Sequence, residues 1–162
     1  MTKLVRIIGR AFAALVLLFH WGGTAAHAGP TVYTAGYLLQ DRKTRAFYLE
    51  GATLTFLGDG IHHSLAKSIA VSEGTVYTLG SWLDETRKEY IPCYWVGTKR
   101  VDLDDGTRTG SALGIAVSEG TVYTAGSWYD GTRYILCYWV GTTRVDLDHG
   151  KHAGEALAIA VP

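Results

Sequence analysis

The stretch Leu113–Leu147, LGIAVSEGTVYTAGSWYDGTRYILCYWVGTTRVDL, is stated almost three times in this chain. A near-copy runs from Ser68 to Leu103, and a worn copy fills Thr31 to Leu57. Val-Tyr-Thr begins at Val32, Val76 and Val122, so the spacings are 44 and 46 residues. Periods of this length with strand-type content belong to propeller blades and related arrays, in which one supersecondary unit is stacked on copies of itself.

Each unit reads as four short strands, a to d. Strand a is Ser68–Val71, Ala112–Val117 and Ala156–Val161, built from Ala, Gly and Ser with alternating Ile and Val. Strand b is Val-Tyr-Thr-x-Gly running on to Trp82 and Trp128. Its β-branched and aromatic residues fit a pleated, half-buried surface. Strand c is Phe47–Glu50, Tyr90–Val96 and Tyr134–Val140; strand d is Leu54–Leu57, Arg100–Leu103 and Arg144–Leu147. Ser-Glu-Gly-Thr joins a to b at Ser72–Thr75 and Ser118–Thr121, and Gly supplies the positive φ of a tight hairpin there. The mature chain shows no helical periodicity. Four antiparallel strands per unit fit a blade, with small-residue strand a innermost and polar strand d outermost.

The shared cores IAVSEGTVYT and CYWVGT resemble repeats found in tandem in secreted bacterial β-propeller-like proteins. The resemblance covers nearly all of residues 31–162 and implies an all-β fold of blade-like repeats. It is close to silent on activity. The first unit departs from it: Leu49 stands for Trp and Phe47 for Cys.

The units fall at about 31–67, 68–111 and 112–155, with a final strand at 156–161. The chain therefore opens on strand b and closes on strand a, twelve strands in all. Closed propellers typically have about four to eight blades, so three units are too few for a ring. The expectation is a partial ring, or half of a six-bladed ring made by a homodimer that exchanges Ala156–Val161. A β-trefoil, also three repeats and twelve strands, is the alternative, and a truncated remnant of a longer propeller is another. Flat faces left open at the ends of a stack carry apolar side chains and unpaired edges, which is the physical reason to expect an oligomer.

Residues 1–28 stand apart. Lys3, Arg6 and Arg10 precede an apolar run from Ala11 to Phe19, and Ala26-His27-Ala28 is a small-residue cleavage pattern. This reads as a secretory signal peptide cut near Ala28-Gly29, so residues 29–162 are expected to be periplasmic or secreted. Its apolar run is too short to span a bilayer stably, and the mature chain has no other candidate span. Removing it takes three of the 15 basic residues and none of the 15 acidic ones, leaving a net charge of −3. That balance offers no footprint for nucleic acid. Cys93 and Cys137 occupy the same repeat slot. Equivalent positions in stacked sheets lie about 10 Å apart, and a disulfide needs Cα atoms within about 7 Å, so free buried thiols are expected.

No catalytic constellation is present: there is no G-x-S-x-G and no phosphate-cradling glycine loop, and no cofactor is implied. Asp102–Gly106 and Asp146–Gly150 begin like calcium loops but lack the twelve-residue frame and closing Glu, so they read as strand ends running into turns. His62-His63 and His149-x-x-His152 raise metal binding, yet the slot shared by His62 and His152 holds Arg108 in the second unit, and no metal site is assigned. The b–c loops carry Lys43–Arg45, Thr86–Lys88 and Thr132-Arg133, and the d–a connections should lie at the same end because successive strands reverse direction. The side chains expected to face a ligand are thus Arg45, His62, Arg87, Arg108, Arg133 and His152, with Trp82 and Trp128 if sugars stack there. The function expected is a non-enzymatic module for ligand or protein binding or assembly, with a carbohydrate-binding lectin as alternative and a glycan or protein as the ligand.

Overall fold

The structure is a computed structural model, described for residues 29–103 and 109–162; residues 31–162 form one unit. Residues 1–28 (the expected signal peptide), Arg108 and the end of the first Asp-Gly turn lie outside the described residues.

The described residues form eleven strands: β1 (Tyr33–Gln40), β2 (Lys43–Glu50), β3 (Thr53–Phe56), β4 (Ser64–Ser72), β5 (Thr75–Asp84), β6 (Glu89–Val96), β7 (Lys99–Asp102), β8 (Gly110–Ser118), β9 (Thr121–Tyr129), β10 (Tyr134–Val140) and β11 (Thr143–Asp146). They make three antiparallel sheets, β1-β2-β3, β4-β5-β6-β7 and β8-β9-β10-β11. Every ladder among the described residues joins sequence neighbours inside one unit. A β-trefoil, whose barrel strands come from different units, is therefore not what forms.

Local chemistry explains the hairpins. Glu73 (φ 49) with Gly74 (φ 74), and Glu119 (φ 50) with Gly120 (φ 73), are two-residue turns with positive φ at both central positions. This backbone matches the right-handed twist of the flanking strands. In the first unit Asp41 (φ 51) and Arg42 (φ 64) make the same kind of turn between β1 and β2. Lys43, Thr44 and Arg45, expected in that loop, instead open β2 and pair with Gln40, Leu39 and Leu38. The two-residue turn leaves no room for a longer loop.

Period-2 alternation gives each sheet two different sides. Cys93 and Trp95 point one way from β6 and Tyr94 the other, and each side is covered. Cys93, Trp95 and Trp82 pack with Ala35, Ala46 and Tyr48 of the first sheet. Tyr77, Leu79 and Tyr94 pack with Ile115, Cys137 and Trp139 of the third. The Cys–Trp side of one sheet thus always meets the Tyr side of the sheet before it. The inner strands sit at these junctions: β4 packs on β1 and β2, and β8 on β4, β5 and β6. Both β4 and β8 carry a bulge, at Ala66/Ser68 and Ala112/Gly114. It brings the carbonyl of Leu65 over Gly80 and that of Ser111 over Gly126; a Cβ at either glycine would lie 1.9 Å from the oxygen. Only Gly allows so close an approach.

The expected twelfth strand does not form. Residues 156–161 lie in no ladder among the described residues. A strand a needs a strand b beside it, and β1, which among the described residues is the strand b without a neighbour on its inner edge, belongs to the first sheet. The stretch is anchored on the third sheet instead: Gly154 N–H donates to the Tyr134 carbonyl (3.1 Å), Ala156 N–H to that of Gly126 (3.2 Å), and Ser118 Oγ to that of Pro162 (3.1 Å).

Candidate functional site

The register of the second sheet sets Trp82 opposite Ile91, Cys93 opposite Asp102 and Trp95 opposite Arg100, so Trp82, Asp102 and Arg100 project from one side. The Trp82 indole reaches over β6 and its Nε1–H donates to Asp102 Oδ1 at 3.0 Å. Arg100 Nε lies 3.0 Å from the same oxygen, and its guanidinium sits 3.9 Å above the indole. The third unit repeats this. Trp128 Nε1–H donates to Asp146 Oδ1 at 2.8 Å, Arg144 Nε is 2.9 Å from that oxygen, and its guanidinium lies 3.6 Å over the ring. In the first unit the slots hold Leu38, Leu54 and Phe56, and the set is replaced by Arg45 stacked 4.1 Å over Phe56.

These clusters define the setting of the two candidate indoles. Trp82 and Trp128 are half-buried, each with its N–H engaged and a guanidinium over the ring, so neither is an open platform for a sugar ring. Of the carboxylates and guanidiniums that do this, Asp102 and Asp146 stood out in the sequence only as the starts of calcium-like stretches, and Arg100 and Arg144 only as the first residues of strand d. The signal was in the repeat: Arg-Val-Asp-Leu follows CYWVGT at the same offset in both copies, and strand alternation puts Arg and Asp together.

The b–c turns and d–a connections do lie side by side. Lys43 Nζ donates to the Ile61 carbonyl, Thr44 N–H to His63 Nδ1 (3.2 Å), and Arg133 Nη1 to the Lys151 carbonyl (3.1 Å). Aspartates shape this end. Asp59 Oδ1 accepts the N–H groups of Ile61 (2.8 Å) and His62 (3.1 Å), and Asp130 Oδ1 those of Thr132 (2.7 Å) and Arg133 (2.9 Å). Burial pushes the Asp59 carboxyl up, but the His62 N–H, its imidazole and the Ile61 N–H overcome this and hold it at about 2. The Thr132 hydroxyl, with the Arg133 and Thr132 N–H groups, holds Asp130 at about 2 as well.

Each basic candidate here has a local partner. His62 Nδ1 is 2.7 Å from Asp59 Oδ2, and His152 Nδ1 is 2.8 Å from Asp148 Oδ2. Arg87 Nη2 is 3.3 Å from Glu89 Oε2, Arg133 Nε is 4.0 Å from Asp130 Oδ2, and Arg45 Nη1 donates to Gln40 Oε1 at 2.9 Å. This end is a rim of paired charges rather than a bare cationic face. Two candidates converge: His62 stands edge-on to Trp82 at 5.3 Å, at the junction of the first two sheets. Arg45 lies on the other side of the first sheet, over Phe56, and meets the same connection at Gly60, where a Cβ would lie 3.3 Å from it. Arg133 reaches the Lys151 carbonyl, next to His152, and Arg87 bonds Glu89 beside its own turn. Cys93 and Cys137 are free and buried, as expected. Burial raises the Cys93 thiol well above its usual value and the Cys137 thiol to about 12.

No protein-family model matches the chain, and no curated protein matches it. Among solved structures, a fucose lectin from Kordia zhangzhouensis, in complex with methyl-fucoside, matches with a TM-score of 0.52 and 15% sequence identity. The match covers 76% of this chain and 93% of the lectin. At that identity the likeness is one of fold.

Proposed function

We propose that this protein is an exported, non-enzymatic carbohydrate-binding module whose units are propeller blades, of the tandem-repeat secreted type that its repeat resembles. The observation that carries the reading is the likeness to the fucose lectin, because it spans 93% of that chain and so leaves little of the lectin's scaffold without a counterpart here. The stacking order supports the blade reading: small-residue strands at the junctions, and a Cys–Trp side on a Tyr side at each step. The rim supports the ligand class. Neutral sugars are held by fans of donors and acceptors with an apolar edge nearby, not by net charge. Where the first d–a connection meets the rim, Asp59 and His62 stand beside the edge of Trp82, and Arg45 reaches the same connection at Gly60 from the other side of the first sheet.

The test is a glycan array followed by calorimetric titration, with methyl-fucoside first. Saturable binding of a fucoside or another neutral glycan, weakened by Arg45→Ala, is expected. A folded protein that binds no glycan on the array would refute the reading.

A further inference from the structure

We propose that two copies of this chain complete one another, residues 156–161 of each pairing along the free edge of β1 in its partner. The inference is independent of the carbohydrate reading.

Four observations converge on a second copy as the occupant. In the second and third sheets the strand starting at Val-Tyr-Thr is flanked on its inner side, β5 by β4 and β9 by β8; in the first sheet β1 is an edge among the described residues. Its outward N–H and C=O groups are a template for one more strand. Residues 153–162 already occupy, on the third sheet, the place that β8 occupies on the second. A Cβ on Gly110 would touch Pro92, and a Cβ on Gly154 would touch Leu136, the same pair one unit on. The stretch is seated at its two ends and makes no ladder, so residues 157–161 stand at the point where a strand b is missing.

The outward side of the first sheet is the third observation. Leu38, Phe47, Leu49, Leu54 and Phe56 fill the slots that hold Trp82, Cys93, Trp95, Arg100 and Asp102 in the second sheet. In the second sheet that side is buried on the Tyr side of its neighbour; in the first sheet its members belong to neither core cluster. The matching surface, a Tyr side with no sheet stacked on it, is at the other end of the same chain, where Tyr138 and Tyr123 lie on the third sheet. One stacking rule, already used twice within the chain, would join the two ends.

Gly36 is the fourth. It aligns with Gly80 and Gly126, where glycine is required because a flanking carbonyl lies over it. At Gly36 a Cβ would meet only the Phe47 ring, at 3.5 Å. The single chain does not need glycine there. A flanking strand would, and the residue equivalent to Leu65 and Ser111 is Glu155, at the start of the free stretch. A head-to-tail contact closes only if its rotation closes. With three sheets per chain, two copies give six blades, inside the range of about four to eight that closed propellers adopt.

The test is the mass of the purified chain by light scattering and sedimentation at micromolar to tens-of-micromolar concentration. A dimer is expected. Gly36→Ala should convert it to a monomer with unchanged β-sheet circular dichroism, since its Cβ clashes only with the partner's strand. Leu54→Lys, on the outward apolar side and 43% exposed in the single chain, should do the same and covers the case that the first variant misfolds. A wild-type monomer would overturn the proposal. So would a larger or open-ended assembly, or a dimer that survives both substitutions. Glycan titration of the monomeric variants reads the carbohydrate hypothesis separately.

Discussion

Gly80→Ala is the sharpest probe of how the sheets are built. The added Cβ would lie 1.9 Å from the Leu65 oxygen, 2.9 Å from its carbon and 3.0 Å from Ala66 Cα, all backbone atoms. Ordinary contact begins at 3.4 Å, so β4 must retreat by the difference from 1.9 Å. Retreat of about 1.5 Å stretches ladder bonds beyond about 4 Å, where they are no longer made. Two or three bonds around the bulge, at about 0.5–1.5 kcal/mol net each, together with loosened packing at Ala66, give a loss of about 2–4 kcal/mol. Gly74→Ala is the comparison: it meets nothing within 4 Å but keeps φ at +74, so it should cost only about 1–2 kcal/mol. Urea unfolding followed by Trp fluorescence measures both. A Gly80→Ala variant within about 0.5 kcal/mol of wild type, or less damaged than Gly74→Ala, would refute the close-approach reasoning.

Asp102→Ala should destabilise by about 1–2 kcal/mol, because it strands the Trp82 N–H and loosens Arg100, while Asp102→Asn keeps an acceptor and should cost less; thermal unfolding of the pair checks the order. Both thiols should stay unreactive toward a thiol reagent in the folded protein, without acceleration from pH 7 to 9, because burial holds Cys137 at about 12 and Cys93 well above its usual value; both should label in denaturant. The acid limb should show the rim aspartates. Asp59 and Asp130 are held at about 2, below the unfolded value of about 3.9, so their contribution is complete above pH 4 and is lost as pH falls toward 2. Asp59→Asn should flatten that part of a stability-against-pH curve, and an unchanged curve would count against the loop geometry.

Much of the architecture was legible because the chain states its unit more than once. Alternation about Cys93-Tyr94-Trp95 is enough to give the sheet two sides, and Glu73-Gly74 is enough to give the hairpin. Two things escaped. Lys43–Arg45 looked like loop because charge is a poor guide to where a two-residue turn stops; Asp41 and Arg42, which take the positive φ, carry no glycine to announce it. The role of Asp102 was hidden because its partner, Trp82, is two strands away, and only register brings them together. The fate of Ala156–Val161 was beyond sequence pattern altogether. Its composition is that of a strand, but a ladder depends on which neighbour is within reach.

The one-way stacking of a Cys–Trp side on a Tyr side has a consequence for how such chains vary in length. The stack is polar, like nested cups. Inserting another unit in the middle adds one more junction of the existing kind and leaves both terminal surfaces as they were. Copy number can therefore drift by duplication or loss without redesigning the ends, and the number of units per chain sets how many chains a closed assembly would contain rather than whether its ends can meet.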